Sequence, residues 1–248
     1  MVSMQNRFTF DLTANPTAAT LSPMGVKPMT TDAGDGVVSD FLGFARGDRF
    51  TTILADPPWQ FQNKTGKVAP EHRRLSRYAT LTLSEIMALP VDRVAAPTAH
   101  LYLWVPNALL PQGLAVLQAW GFTYKSNIVW HKIRKDGGSD GRGVGFYFRN
   151  VTELILFGVR GKNVRTRDAG RRQVNLVATR KREHSRKPDE IYPIIEACSH
   201  GPYLELFARG VRPGWAQWGN QASADYRPTW TTYKNHSQIH GGYEELID

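Results

Sequence analysis

The chain has 248 residues, 41% of them hydrophobic, and a formal net charge of +9, which suits one α/β domain with irregular ends and a real core. A single cysteine excludes an intramolecular disulfide and a zinc finger or ribbon, and seven scattered histidines show no ligand spacing, so no protein-bound metal is expected. No apolar run has membrane-spanning length and the N-terminus lacks a signal-peptide pattern, so a soluble, cytoplasmic protein in a reducing compartment is expected, with a polyanionic partner favoured by the charge.

Residues 1–35 are rich in Thr, Ala, Pro, Met and Gly without periodicity and read as a loosely ordered arm. The folded domain is expected over 36–221. Phe50–Ala55 reads as a buried strand ending in "DPPW", where two prolines cannot donate to a ladder and force a turn at Asp56. A polar, basic loop follows over 60–80. Thr82 and Glu85 have capping-box spacing for a short helix with Ile86 and Leu89 inward. Ala99–Val105 is a second buried strand, and a helix over 108–120 follows, with Asn107 as its N-cap, Pro111 in its first turn and Gly121 as its stop. Thr123–Lys132 is a third strand. The glycine-rich loop after it lacks G-K-[ST] and is no phosphate-binding P-loop.

Val151–Val159 is another strand, and "VNLVAT" (174–179) is a short one inside a strongly basic stretch. Pro188 is placed to open a helix, with Asp189 and Glu190 at its positive end. Ile191, Ile194, Ile195 and Cys198 fall at i, i+3, i+4 and i+7, a core stripe that makes Cys198 a packed thiol. Tyr203–Phe207 is a strand, "GWAQWGNQ" closes the ordered part, and 222–248 reads as a polar tail. Strands alternating with helices argue for an α/β fold, a mostly parallel sheet covered on both faces, with ligands at the carboxyl ends of the strands. Asp56 and Glu205 both fall where they can reach that crevice. No G-x-G-x-x-G is present, which argues against a nicotinamide dinucleotide.

The "DPPW" stretch fits one chemistry well. An exocyclic aromatic amine is a poor nucleophile because its lone pair is delocalised into the ring. A site that accepts hydrogen bonds from both N–H groups draws the nitrogen toward tetrahedral geometry and meets the charge that develops on it. Asp56 can supply a carboxylate, a carbonyl held by Pro57 or Pro58 the second acceptor, and Trp59 a ring on which a base stacks. The bland alternative is a strand-ending turn.

Several blocks in order carry a resemblance: "ADPPW" (55–59), "LYLWV" (101–105), "WGF…IVWHK" (120–132), "ELILFGVRG" (153–161), "HSRKPDEIY" (184–192), "LELFAR" (204–209) and "GWAQWGNQ" (214–221). Over roughly 50–221 the chain resembles the adenine-N6 methyltransferase family typified by the catalytic subunit of the eukaryotic mRNA adenosine methyltransferase complex. The resemblance implies a Rossmann-like, S-adenosylmethionine-dependent methyltransferase fold with permuted motif order. Asp56, Pro57, Pro58 and Trp59 match the catalytic motif. Asp56 would also approach the methionyl amine of the cofactor, Lys187 its carboxylate, and Glu205, Phe207, Arg209, Asn220 and Gln221 its ribose and adenine. The family's upstream acid has no clear counterpart; Asp35 and Asp40 are nearby.

Eleven Lys and Arg fall between Arg160 and Lys187, opposed only by Asp168 and Glu183. Beside a base-modifying site, Arg165, Arg167, Arg171 and Arg172 are expected to contact phosphate, with Lys64, Lys67, Arg73, Arg74 and Arg77 as the opposite wall and Tyr78 lining the base pocket. A paired amine is inaccessible, so the target is single-stranded or flipped out. The resemblance favours DNA over RNA for a compact one-cysteine chain, and a homodimer or a heterodimer with a related subunit. The other readings are a non-catalytic nucleic-acid-binding subunit and a methyltransferase for a small aromatic amine.

Overall fold

The computed structural model describes residues 35–60, 81–140, 147–180 and 186–226. Its elements, in chain order, are α1 (Asp35–Ala45), β1 (Phe50–Ala55), α2 (Leu83–Ala88), α3 (Val91–Val94), β2 (Ala95–Val105), α4 (Leu110–Ala119), β3 (Thr123–Ile133), β4 (Thr152–Arg160), β5 (Leu176–Arg180), α5 (Ile191–Cys198), β6 (Tyr203–Leu206) and β7 (Trp215–Trp218). The seven strands form one sheet in the order β5-β3-β4-β2-β1-β6-β7. All run in one direction except β4, which pairs antiparallel with both β2 and β3. This is the mostly parallel α/β sheet that was expected.

The strands alternate because both faces are buried. Ile53 and Ala55 of β1 and Leu101, Leu103 and Val105 of β2 join one core, with Phe41 and Phe44 of α1, Ile86 of α2 and Val116 and Leu117 of α4. Leu54, Tyr102, Trp104, Ile155 and Trp130 face the other way and pack under Ile191 and Ile195 of α5. An eight-residue helix such as α5 is marginal alone, so its apolar stripe holds it. Each fully buried aliphatic side chain contributes about 1.5–3 kcal/mol.

Local signals placed most ends correctly. Thr82 accepts from the Glu85 amide while the Glu85 carboxylate accepts from the Thr82 amide, a complete capping box. Pro111 sits in the first turn of α4. Two ends differ from expectation. Asn107 opens a short 3-10 turn instead of capping α4, because its amide donates to the Thr152 carbonyl and hydroxyl at 3.2 and 3.0 Å and so ties β2 to the start of β4. The last helix begins at Ile191, after a turn over 188–190, because Asp189 accepts from Arg186 and Arg212 instead of capping it. Asp40, one of the two upstream acids, is buried and accepts from the Trp218 indole at 3.0 Å, which pins α1 to β7. No helix among the described residues is long and apolar enough to cross a membrane.

The sheet has two functionally distinct ends. At the carboxyl end of the parallel strands lie Asp56, Arg180 and Phe207. At the amino end, the Thr51 and Thr52 hydroxyls donate to the His200 carbonyl, and Ser199 bonds both His100 and Tyr102 at 2.7 Å. Helix α5 spans the two, starting near Lys187 and ending at Ser199.

Candidate active site

The turn at Asp56 is built by what proline removes. Pairing of β1 with β2 ends at Ala55 and Leu103. Neither proline can offer the next donor, and the Trp59 indole N–H replaces it, donating to the Trp104 carbonyl at 2.9 Å. The Pro57 carbonyl accepts from the Trp59 amide at 2.8 Å and the Pro58 carbonyl from the Leu81 amide at 3.2 Å, each retaining a second lone pair. Trp59 is only 6% exposed and packs within the core. It therefore corrects the expectation of a stacking platform: its ring is committed to holding the Asp56 turn. Trp59→Phe is expected to lower stability by about 1–3 kcal/mol in denaturant unfolding, because the Trp104 carbonyl loses its donor inside the fold.

Asp56 heads a chain of alternating charges. Lys187 Nζ lies 3.1 Å from Asp56 Oδ1 and 3.2 Å from Glu153 Oε2, and Glu153 in turn pairs with Lys132. Lys187 also sits over the Trp104 ring, 5.2 Å from its centre, and Lys132 over Trp130 at 4.9 Å. Burial pushes the Asp56 carboxyl above its ordinary value, against the pull of Lys187 and Arg209. Burial would lower the Lys187 ammonium, but Asp56 and Glu153 outweigh it and raise its pKa. Burial likewise opposes ionisation of Glu153, yet the two lysines hold it down to about 2.

A folded pKa below the unfolded one stabilises the protein above the unfolded value. The contribution of Glu153 is thus complete above 4.5 and is lost as pH falls toward about 2. Acid unfolding followed by circular dichroism should be shallower in that window for Glu153→Gln than for the natural chain. Equal slopes would remove Glu153 from the acid response.

Beside this chain, at the carboxyl ends of β1, β2 and β6, opens a cavity of about 290 Å³. Asp56, Lys187, Glu205, Phe207 and Arg209, all expected in the site, line it. Glu205 accepts from the Tyr192 hydroxyl at 2.8 Å and the Gln217 amide at 2.9 Å. Burial raises its pKa despite both donors. Arg212 lies over the Tyr192 ring at 3.5 Å and donates to Asp189, while its Nε is buried with no hydrogen-bond partner among the described residues.

Asn220 and Gln221 do not line the cavity. Asn220 is exposed, and the backbone of Gln221 bridges to Arg209 and accepts from the Gly210 amide at 2.8 Å. Ser223, Ala224 and Tyr226, expected in the tail, do line it. The four arginines expected at its rim lie elsewhere. The Arg167 amide donates to the Cys198 carbonyl at 2.8 Å and its guanidinium to the Glu196 carbonyl at 3.0 Å. Arg171 pairs with Asp168 in a 3-10 turn packed on α5. Arg165 and Arg172 flank that turn. All four thus sit by the end of α5, at the amino end of the sheet, opposite Asp56. The expectations for Lys64, Lys67, Arg73, Arg74, Arg77 and Tyr78 lie outside the described residues.

Glu153, Lys132, Trp104 and Arg212 went unassigned from sequence. Glu153 carried a signal, a lone acid inside the apolar run "VTELILF". A charge in such a strand needs a partner.

The MT-A70 family matches residues 50–221. The chain is 32% identical to the N(6)-adenosine-methyltransferase catalytic subunit METTL3 of Homo sapiens over 70% of its own length and 28% of that protein. It is 30% identical to the N(6)-adenosine-methyltransferase MT-A70-like protein of Drosophila melanogaster over 73% of its length and 28% of that protein. It is 27% identical to the Type II methyltransferase M.MunI of a Mycoplasma species over 69% of its length and 77% of that protein. The chain spans about a quarter of the length of the animal and plant relatives it matches. With the matched region covering every strand of the sheet and every expected cavity-lining residue, this chain belongs to the MT-A70 family.

Proposed function

We propose that the protein methylates the exocyclic N6 amine of adenine in nucleic acid, with S-adenosylmethionine as methyl donor and DNA as the polymer. One observation carries the reading: the Asp56 carboxylate is held beside a cavity at the carboxyl end of the sheet, fixed by Lys187 at 3.1 Å. The polymer assignment is supported by the match to most of the length of a Type II methyltransferase, and the net charge of +9 suits a polyanion.

The cavity's donor set suits the cofactor. Its ammonium calls for a carboxylate, which Asp56 supplies. Its carboxylate calls for a cation, for which Lys187 and Arg209 stand ready. A ribose diol suits Glu205 with Gln217, and an adenine suits the apolar and aromatic surface of Phe207 and Tyr226. The unfilled Nε of Arg212 leaves a further donor for a polar ligand. When bound, S-adenosylmethionine supplies an electrophilic methyl group.

The remaining chemistry belongs to the chain. Asp56 in its ionised form accepts from one N–H of the adenine amine and meets the positive charge that develops on that nitrogen. The second lone pair of a proline carbonyl is a candidate acceptor for the other N–H. Lys187 and Glu153 keep the Asp56 carboxylate in one orientation, a pre-organised acceptor needing no rearrangement as charge develops.

The test supplies S-adenosylmethionine with matched single-stranded DNA, duplex DNA and RNA, and quantifies N6-methyladenine by mass spectrometry after digestion. Product on DNA supports the reading whole. Product on RNA alone keeps the chemistry and corrects the polymer. Absence of product on all three, with the protein folded and cofactor unbound, points to a non-catalytic subunit of this fold.

A further inference from the structure

The basic segment after β4 does not join the cleft, and its position points to another use. The chain leaves β4 at Arg160 and turns back at Gly161, whose φ of +95° and close approach, a Cβ there falling 2.6 Å from the Pro97 carbonyl, leave room for no side chain. That turn directs residues 162–172 across the amino end of the sheet. Between 160 and 172 stand six cations, Arg160, Lys162, Arg165, Arg167, Arg171 and Arg172, against one carboxylate, Asp168. Two of these guanidiniums have structural duties, Arg167 on the Glu196 carbonyl and Arg171 on Asp168. Lys162, Arg165 and Arg172 are exposed and form no ion pair with a described residue.

We infer that Lys162, Arg165 and Arg172 form a second nucleic-acid contact, which grips the backbone of the same polymer several nucleotides away from the base held at Asp56. The inference rests on the nucleic-acid reading above and adds a distal anchor to it. Three exposed cations in one segment whose single acid is Asp168, with no ion pair to a described residue, match a run of phosphates. Helix α5 separates the two ends with eight residues, about 12 Å of rise. At 3.4 Å per nucleotide along a duplex strand that is about four nucleotides, and more around the protein surface. A short oligonucleotide bound at Asp56 therefore cannot reach the patch, and a long one can.

The experiment compares oligonucleotides of about five nucleotides, with the one adenine at the centre so that about two nucleotides extend to either side, and of about thirty nucleotides with one adenine, in fluorescence-anisotropy binding across salt and in methylation assays. Three phosphate contacts at a slope of about 0.7 each predict that the long strand's affinity advantage shrinks about 20-fold between about 50 and 200 mM salt. The triple variant Lys162→Ser, Arg165→Ser, Arg172→Ser should lower the long-strand salt slope by about 2 and leave the short-strand affinity at the natural value. The Arg165→Lys, Arg172→Lys variant should keep the slope. An unchanged slope in the triple variant, or equal losses on both lengths, overturns the distal anchor. If the natural chain neither binds nor methylates either strand, the nucleic-acid reading itself fails. If it methylates both and the variant matches it throughout, only the anchor fails.

Discussion

Asp56→Asn should lower kcat for adenine methylation by about 10²–10³, the usual effect of removing one pre-organised electrostatic contact to developing charge. The substitution is nearly isosteric. It keeps an oxygen acceptor and removes the charge that stabilises the amine as its nitrogen becomes positive. Stability should behave differently. Burial raises the Asp56 pKa even with Lys187 beside it, so the fold prefers the neutral group. The contribution of such a carboxyl is full below its unfolded value of 3.8 and declines as pH rises through the folded one. At neutral pH the asparagine variant sheds that cost but leaves Lys187 with Glu153 as its one carboxylate partner among the described residues, so its denaturant midpoint should stay close to that of the natural chain. Loss of activity with retained stability identifies a charge kept for chemistry against the interest of the fold. A variant equally inactive and unstable would make Asp56 structural. In the natural chain, the acid limb of the kcat profile for the proposed methylation should lie above the ordinary carboxylate range, because only the ionised carboxylate serves.

What the sequence made legible follows what a one-dimensional pattern can encode. Alternation in β1 and β2 reports two buried faces, and the structure assigns Leu101 and Leu103 to one core and Tyr102 and Trp104 to the other. Asp56 and Glu205 were placed by the same rule, since a strand end fixes which end of the sheet a residue occupies. Side-chain direction after a turn is not encoded that way. Trp59 is four residues past the end of β1, and its inward course depends on the Trp104 carbonyl of β2, a tertiary fact. The arginines of 165–172 show a further limit. A charge run has no period, and its proximity to the cleft in sequence came from Lys187, which lies across β5 from them. The turn at Gly161 and the docking on α5 decide where they go. Asn220 and Gln221 lie outside the cavity lining for a related reason: the Gln221 backbone is bridged to Arg209, and Tyr226 lines the cavity instead.

Lys187→Met should be the most damaging substitution for stability and also suppress activity. The lysine side chain is 20% exposed and is, among the described residues, the one cation in contact with both Asp56 and Glu153. Methionine fills similar space beside Trp104 without charge. Glu153 retains Lys132, but Asp56 is left with the more distant Arg209. Breaking a buried pair by removing one partner costs about 3–5 kcal/mol, and partial exposure places this site near about 3 kcal/mol at neutral pH. The cost should depend on pH in a defined direction. With its closest cation gone, Asp56 becomes harder still to ionise, so the deficit grows as pH rises through its folded pKa and recedes as the carboxyl takes up a proton. Chemical denaturation at several pH values reads this directly. Activity should fall with a shifted profile, because a larger share of Asp56 is protonated at neutral pH, and raising pH should restore part of kcat. Lys187→Arg, which keeps the charge, should recover stability more fully than activity, since a planar guanidinium satisfies two carboxylates without reproducing the point contact that orients Asp56. A pH-independent deficit in the methionine variant would show that Lys187 contributes packing against Trp104 alone and has no part in setting the charge of Asp56.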